Sequence, residues 1–330
     1  MPSIRPLALA ALAVFSSHAN YFAAATPITS RSTSSWSGFA SVRYLFAFGD
    51  SYTTVGFSSS SSTQPSASNP DGVFNSTLGT TASGRNYIDY LTYTYNSSRV
   101  LTYDMAVYGA TLNDSVVPAF STAIPDAIAQ SVSSWYPPYH GNGGSANVPW
   151  TASNSLFSYF FGINDLLNTQ GAYNASLEAA LMHSYYDVLY FAYIFGARNF
   201  LVQTVPPMDL APGVVAFYNA SAVAAAVRSY NAALASTVAQ FRADRPGASV
   251  FVHDTHALLA QVLANPASTP QTAGIAYTTN YCPQYVGSFD PNAYNASCTK
   301  PVSAYFWHDF LHPTWPVHQA LASSIAKLLG

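Results

Sequence analysis

Tyr44-Leu45-Phe46-Ala47-Phe48-Gly49-Asp50-Ser51-Tyr52 is the stretch on which the reading of this 330-residue sequence turns. Tyr44 to Phe48 is a continuous apolar run, which suits a strand covered on both faces, as parallel strands packed between helices are. The run stops at Gly49, which permits a tight turn. It leaves an acid and a hydroxyl at the carboxyl end of the strand. Gly-Asp-Ser alone is a common polar turn, so the stretch gains meaning only from what surrounds it.

Four further apolar runs follow at 101–106, 156–161, 200–205 and 249–253, the fourth run of the set stopped by Pro206-Pro207. Between and after them lie helical patterns at 87–95, 176–195, 220–241, 255–263 and 315–329. Such alternation predicts an α/β fold, a three-layer α/β/α sandwich of the flavodoxin-like kind around a mostly parallel five-stranded sheet. Ligands of such sheets bind beyond the carboxyl ends of the strands. Polar blocks cluster at those ends. Tyr108-Gly109-Ala110-Thr111 follows the second run, and Gly109 there can present a backbone N–H. Gly162-Ile163-Asn164-Asp165 ends the third, and the Asn164 amide is a candidate donor, unless it only makes an Asx-turn. Asp309-Phe310-Leu311-His312-Pro313 precedes the last helix. An acid three residues before a histidine can fold back onto one ring nitrogen and leave the other free as a base.

Taken together, in the order Gly-Asp-Ser, Gly, Gly-x-Asn-Asp and Asp-x-x-His-Pro, these blocks resemble the GDSL, or SGNH, hydrolases from about Tyr44 to Leu329. The resemblance implies Ser51 as nucleophile and His312 as base, with Asp309 orienting it. The Ser51 and Gly109 N–H groups and the Asn164 amide are implied as oxyanion donors. The wording of 46–57 (FAFGDSYTTVGF), 63–70 (TQPSASNP), 84–96 (GRNYIDYLTYTYN) and 160–168 (FFGINDLLN) is similar to a secreted fungal branch, carbohydrate esterase family 16. That branch implies acetylesterases acting on hemicellulose-derived sugars such as xylan and mannan oligosaccharides, with no metal or organic cofactor. Members often carry Gly-Gly-Ala-Thr in the second block. Tyr108 replaces the first of those glycines here, which bears on acceptor size rather than on the N–H of Gly109. The competing readings are a lipase or phospholipase on the same scaffold, and a sugar-binding wall protein without activity. The second of these requires loss of a site residue, and all five are present.

Composition agrees with a globular chain and narrows its partners. Hydrophobic residues make up 49% and charged residues 8%, with a formal net charge of −3. Two lysines cannot neutralise a row of phosphates, so nucleic acid is not expected as a partner. The substrate is expected to be a small-molecule or oligosaccharide ester, and the protein a monomer. Arg5, the apolar run 6–15 and the small residues near Ala19 and Ala23–Ala25 read as a signal peptide over 1–25, the run being about half of the ~20 residues needed to span a membrane. An extension over 26–43 and a catalytic domain over 44–330 follow, with 58–69 as a long surface loop. Six sequons at Asn75, Asn96, Asn113, Asn174, Asn219 and Asn295 fit N-glycosylation of an extracellular protein. Cys282 and Cys298 are the only cysteines, and two cysteines in a secreted chain most often pair. His253, His256, His308 and His318 read as core or cap residues, and Asp50 and Asp165 as holders of their turns. Trp135, Tyr136, Tyr139 and Trp150 either stack on sugars at the cleft rim or pack their loop.

Overall fold

The computed structural model describes residues 36–75, 79–140, 144–169 and 171–330. The expected signal peptide, and the extension up to residue 35, lie outside the described residues. Among the described residues, five strands form the sheet: β1 (Tyr44–Gly49), β2 (Leu101–Asp104), β3 (Ser155–Phe160), β4 (Asn199–Gln203) and β5 (Ser249–His253). All pairings are parallel, in the order β2-β1-β3-β4-β5. Strand β1 is central to the site because β2 and β3 flank it, Tyr44 standing level with Leu101 on one side and Ser155 on the other. The chain therefore leaves β1 at the point where the strand order reverses, the place such sheets use for binding.

Among the described residues, seven α-helices accompany the site and sheet: α1 (Tyr87–Tyr93), α2 (Ile163–Asn168), α3 (Ala175–Ile194), α4 (Pro212–Phe217), α5 (Ala220–Asp244), α6 (Thr255–Ala264) and α7 (Trp315–Leu329). A helical stretch over 127–139 completes the cover, its middle a π-helix at Gln130–Trp135. Helix α7 packs on α1 and α6, and α3 on α5. The two faces of β1 separate cleanly. Phe46 and Phe48 point with Phe157 and Tyr159 towards Trp135. Phe160, on the other face, meets Tyr52 and Tyr87. Trp135, Tyr139 and Trp150 are thus core residues, not a rim for sugars.

Strand ends shift by one or two residues from the apolar runs, for local reasons. The second run extends to Ala106, yet β2 stops at Asp104. There the carboxylate accepts the N–H groups of Ala106 and Val55, and so bends the chain out of the ladder. Helix α1 starts where a capping box closes, with Asn86 accepting from Ile88 and Asp89 and Asp89 accepting from Asn86. The same Asn86 donates to the carbonyls of Thr53 and Thr54, which ties α1 to the turn after β1.

Cys282 and Cys298 form a disulfide, with Cα atoms 5.7 Å apart. It sits in a small satellite core with Tyr285, Val302 and Tyr305. The segment it closes joins the main body through Trp315, which donates to Pro291, and through Ser83, which donates to Asp290. The bridge spans 16 residues, and closing a loop of that size restricts the unfolded chain by about 3 kcal/mol. Replacing both cysteines by alanine is expected to lower the unfolding free energy by about that amount, measured by chemical denaturation. A double variant as stable as the parent would mean that the satellite core holds the segment unaided.

Candidate functional site

Gly49 ends β1 under severe crowding. A Cβ there would lie 2.5 Å from Thr53 Oγ1 and 3.0 Å from the Phe160 carbonyl, so no larger residue fits. Both backbone groups of Gly49 are held by one buried side chain. Gln130 accepts its N–H at 3.0 Å and donates to its carbonyl at 2.9 Å. Past this clamp the chain turns at once, with Thr53 and Thr54 donating to the Asp50 carbonyl and Tyr52 N–H to the Asp50 side chain. Ser51 is left facing the end of the sheet, 5% exposed, with Thr81 donating to its carbonyl.

The turn before α7 comes to meet it. Asp309 accepts the N–H groups of Leu311 and His312 at 2.7 and 2.8 Å, and His312 Nδ1 lies 2.8 Å from the second carboxylate oxygen. His312 Nε2 lies 2.8 Å from Ser51 Oγ. Burial works against the charge on Asp309, but the bond to His312, its proximity and the two N–H groups outweigh it and hold the carboxyl below its usual range. A chain of hydrogen bonds therefore runs carboxylate, imidazole, hydroxyl. That arrangement can draw a proton from Oγ and hold it on Nε2.

Two N–H groups close by have no partner among the described residues, those of Ser51 and Gly109. Gly109 has φ +76°, a conformation that side chains disfavour, and an added Cβ would lie 2.2 Å from the Phe120 ring. Asn164, in the first turn of α2, is engaged in the free protein. Its Nδ2 donates to Asp50 Oδ2 at 3.1 Å and to the Ala110 carbonyl at 3.0 Å. Service to an oxyanion requires one of those hydrogens to turn away. Tyr108 is tethered by its phenol to the Gly79 carbonyl and is 40% exposed.

The sequence thus places all five candidates, and the structure gathers Ser51, Gly109, Asn164, Asp309 and His312 at one end of the sheet. Of the four histidines read as core or cap residues, His253, His308 and His318 are buried and His256 is half-buried. His253 lies between Thr255 and Ser324, and burial lowers its pKa to about 4. His318 is enclosed in α7, its pKa lowered to about 3 by burial and then by His312. Each ring nitrogen of His308 lies 2.7 Å from a backbone carbonyl, of Thr81 and of Tyr285. It so links the disulfide segment to the turn bearing Asp309. Three supporting residues escape sequence reasoning, Gln130, Asn86 and Tyr52. The Tyr52 phenol is buried and donates to the Leu311 carbonyl at 2.8 Å, joining the Ser51 turn to the His312 turn directly. No local pattern signals a contact across 259 positions.

Among the described residues no group of three or more His, Cys, Asp or Glu is placed to hold a metal, and no helix is long and apolar enough to cross a membrane. Residues 45–325 match the GDSL-like lipase/acylhydrolase family. The chain is 34% identical over 301 residues to an acetylesterase of Thermothelomyces thermophilus, across 87% of this chain and 88% of that protein. Among solved structures, a putative GDSL-like lipase from Parabacteroides merdae superposes with a TM-score of 0.48 at 10% identity, over 87% of this chain and 95% of that one. An acetylxylan esterase from Geobacillus stearothermophilus superposes with a TM-score of 0.47 at 14% identity, over 87% and 94%.

Tyr52→Phe removes one hydroxyl and leaves the ring packing in place. It is expected to slow labelling of Ser51 by a serine-directed phosphonate about tenfold without unfolding the protein, since the lost bond positions His312 against Ser51. Unchanged labelling would restrict Tyr52 to packing. A second expectation follows from burial, which pushes the carboxyls of Asp50 and Asp165 from 3.8 up to about 7. The fold then holds protons that the unfolded chain releases, so these groups make stability fall as pH rises from about 4 to about 7. Asp165→Asn, which keeps an acceptor for the Leu112 N–H, is expected to flatten that fall in denaturation curves at pH 5 and pH 8. A variant with the parent's pH dependence would place the effect on other groups.

Proposed function

This chain belongs to the GDSL-like lipase/acylhydrolase family and is a carboxylic ester hydrolase, and from that premise we propose that it removes acetyl groups from hemicellulose-derived sugars through an acetyl-Ser51 intermediate. Ser51 Oγ attacks the ester carbonyl as His312 Nε2 takes its proton. The N–H groups of Ser51 and Gly109 and one Nδ2 hydrogen of Asn164, turned from Asp50, receive the charge that develops on the carbonyl oxygen. His312 gives its proton to the departing sugar oxygen. Water, deprotonated by the same nitrogen, then releases acetate and restores Ser51. Asp309 fixes the imidazole tautomer and stabilises the imidazolium.

The single observation that carries the chemistry is the hydrogen-bond chain from Asp309 through His312 to Ser51, 2.8 Å at each link. Support for acetyl comes from the acetylesterase relative, and support for a place in carbohydrate esterase family 16 from the wording of the motifs. Secretion is part of the proposal. It draws on the apolar N-terminal run, the disulfide and the sequons, of which Asn75, Asn174 and Asn219 are exposed. Asn96 Nδ2, by contrast, is enclosed, and Asn113 Nδ2 donates to Ser184. One observation favours the second reading, a lipase-type acyl hydrolase. Phe120, beside Gly109, and Phe217 and Phe310, beside the His312 turn, expose apolar surface at or near the cleft.

Activity on acetylated xylo-oligosaccharide, on long-chain esters and on phospholipid separates the two. The proposal expects the first to dominate, and preference for long acyl chains would replace it with the second. Ser51→Ala is expected to abolish hydrolysis with the fold retained, and activity above a few per cent of the parent would remove Ser51 as nucleophile. Asp309→Asn keeps shape but not charge, and is expected to cut kcat by about 10²–10⁴ with little change in KM. Near-normal turnover would leave a Ser51–His312 pair acting without it.

A further inference from the structure

Beyond the reacting atoms, we propose that the alcohol side of the substrate is an oligosaccharide chain lying in a groove that starts at the His312 turn and ends at Glu178. The inference rests on the reading of the protein as a sugar acetylesterase, and deepens it by giving the sugar chain a path and length.

The groove is a succession of three hollows that share walls. The first, about 370 Å³, lies between α4 and the turn bearing His312. Phe310 and Leu311 form one side of it, and Val214, Phe217 and Tyr218 the other. Phe217 and Tyr218 also line the second, about 410 Å³. Gly171, Ala222 and Val223 continue from the second into the third, also about 410 Å³, which lies against α3 and α5. The first hollow is lined by Phe310 and Leu311, the two residues before His312, and the Phe310 ring stands edge-on to the His312 ring at 6.4 Å, so the group it receives is on the side where the departing oxygen takes its proton, the alcohol and not the acetyl. An acetyl group needs no such length.

The lining names the alcohol. Near His312 the walls are aromatic and open to water, with Phe217 82% and Phe310 50% exposed. Gly213 N–H donates to the Phe310 carbonyl at 2.8 Å, so the two walls are fixed relative to each other. A pyranose offers an apolar C–H face to such rings and keeps its hydroxyl edge in solvent. The far end changes character. Glu178 Oε2 accepts from Tyr173 at 3.1 Å and from Ser229 at 2.5 Å. Both bonds fall on one oxygen, and Oε1 has no competing donor among the described residues. A carboxylate acceptor suits a sugar hydroxyl. It is a poor terminus for an alkyl chain, whose burial there would strip water from the charge without replacing it. An apolar start and a charged end together favour a chain of sugars over a fatty chain.

The test compares acetylated xylose with acetylated xylo-oligosaccharides of two to five rings, alongside 4-nitrophenyl acetate and 4-nitrophenyl decanoate. The enzyme is assayed both as produced and after removal of N-linked glycans, because the sequon residues Asn174 and Asn219 line the groove, and the expectations below apply to both forms. The parent is expected to gain about tenfold in kcat/KM from one ring to three or four, mainly through KM. Phe217→Ala is expected to reduce the ratio of oligosaccharide to 4-nitrophenyl acetate specificity about three- to tenfold, the range of one lost ring contact. Glu178→Gln is expected to reduce it for the longer oligomers only. Length-independent hydrolysis of sugar acetates, or variants that leave the ratio unmoved, would overturn the groove and spare the acetylesterase reading. Preference for decanoate with no cleavage of sugar acetates would overturn both.

Discussion

The junction at the end of β1 is the constraint on which the site depends. Gly49 has no room for a Cβ between Thr53 and Phe160, and Gln130 fastens both of its backbone groups. The strand cannot slide or lengthen, and the turn that follows has one starting point. Asp50 then sets the pitch of the turn, Asn86 holds its far side, and Thr81 fixes the Ser51 carbonyl. Ser51 owes its aim to four residues that play no part in bond making. Precision of this kind matters because a misplacement of about 1 Å can cost ~10² in rate.

Charged residues are scarce in this chain, and four of its acids, Asp50, Asp104, Asp165 and Asp309, lie beneath or at the site. Asp50, Asp104 and Asp165 are all buried at carboxyl ends of strands, where each accepts backbone N–H groups that a turning chain exposes. Burial raises all three pKa values, whereas Asp309, with an imidazole beside it, moves the other way. The same residue type thus does two kinds of work, and the neighbouring imidazole makes the difference.

Much of this was legible in the sequence, and the illegible remainder has a physical pattern. The strands showed because a parallel strand covered on both sides must be apolar throughout, as 44–48 and 156–161 are. The long helices α3, α5 and α7 showed through their length. The short helices α2 and α4 did not, being one or two turns each, and neither did the π-helix at 130–135. Such pieces take their shape from contacts with the sheet rather than from propensity. The site residues were legible because their spacing repeats a family pattern. Gln130, Tyr52 and Asn86 were not, because they act on backbone atoms far off in the chain, where any sequence would offer the same carbonyl. The aromatic cluster near Trp150 was the one ambiguous feature that resolved wholly to packing.

Ser51 and His312 stand 261 positions apart, one just after the first strand and the other just before the last helix. The hydroxyl has no base until the whole sheet is assembled and α7 has docked on α1. A chain in which either end is undocked holds the Ser51 hydroxyl without the imidazole beside it, so the pair exists only when both ends of the chain are in place. The last helix shares the main core through Val317, Leu321 and Ile325, so whatever disturbs that core also parts the imidazole from the hydroxyl.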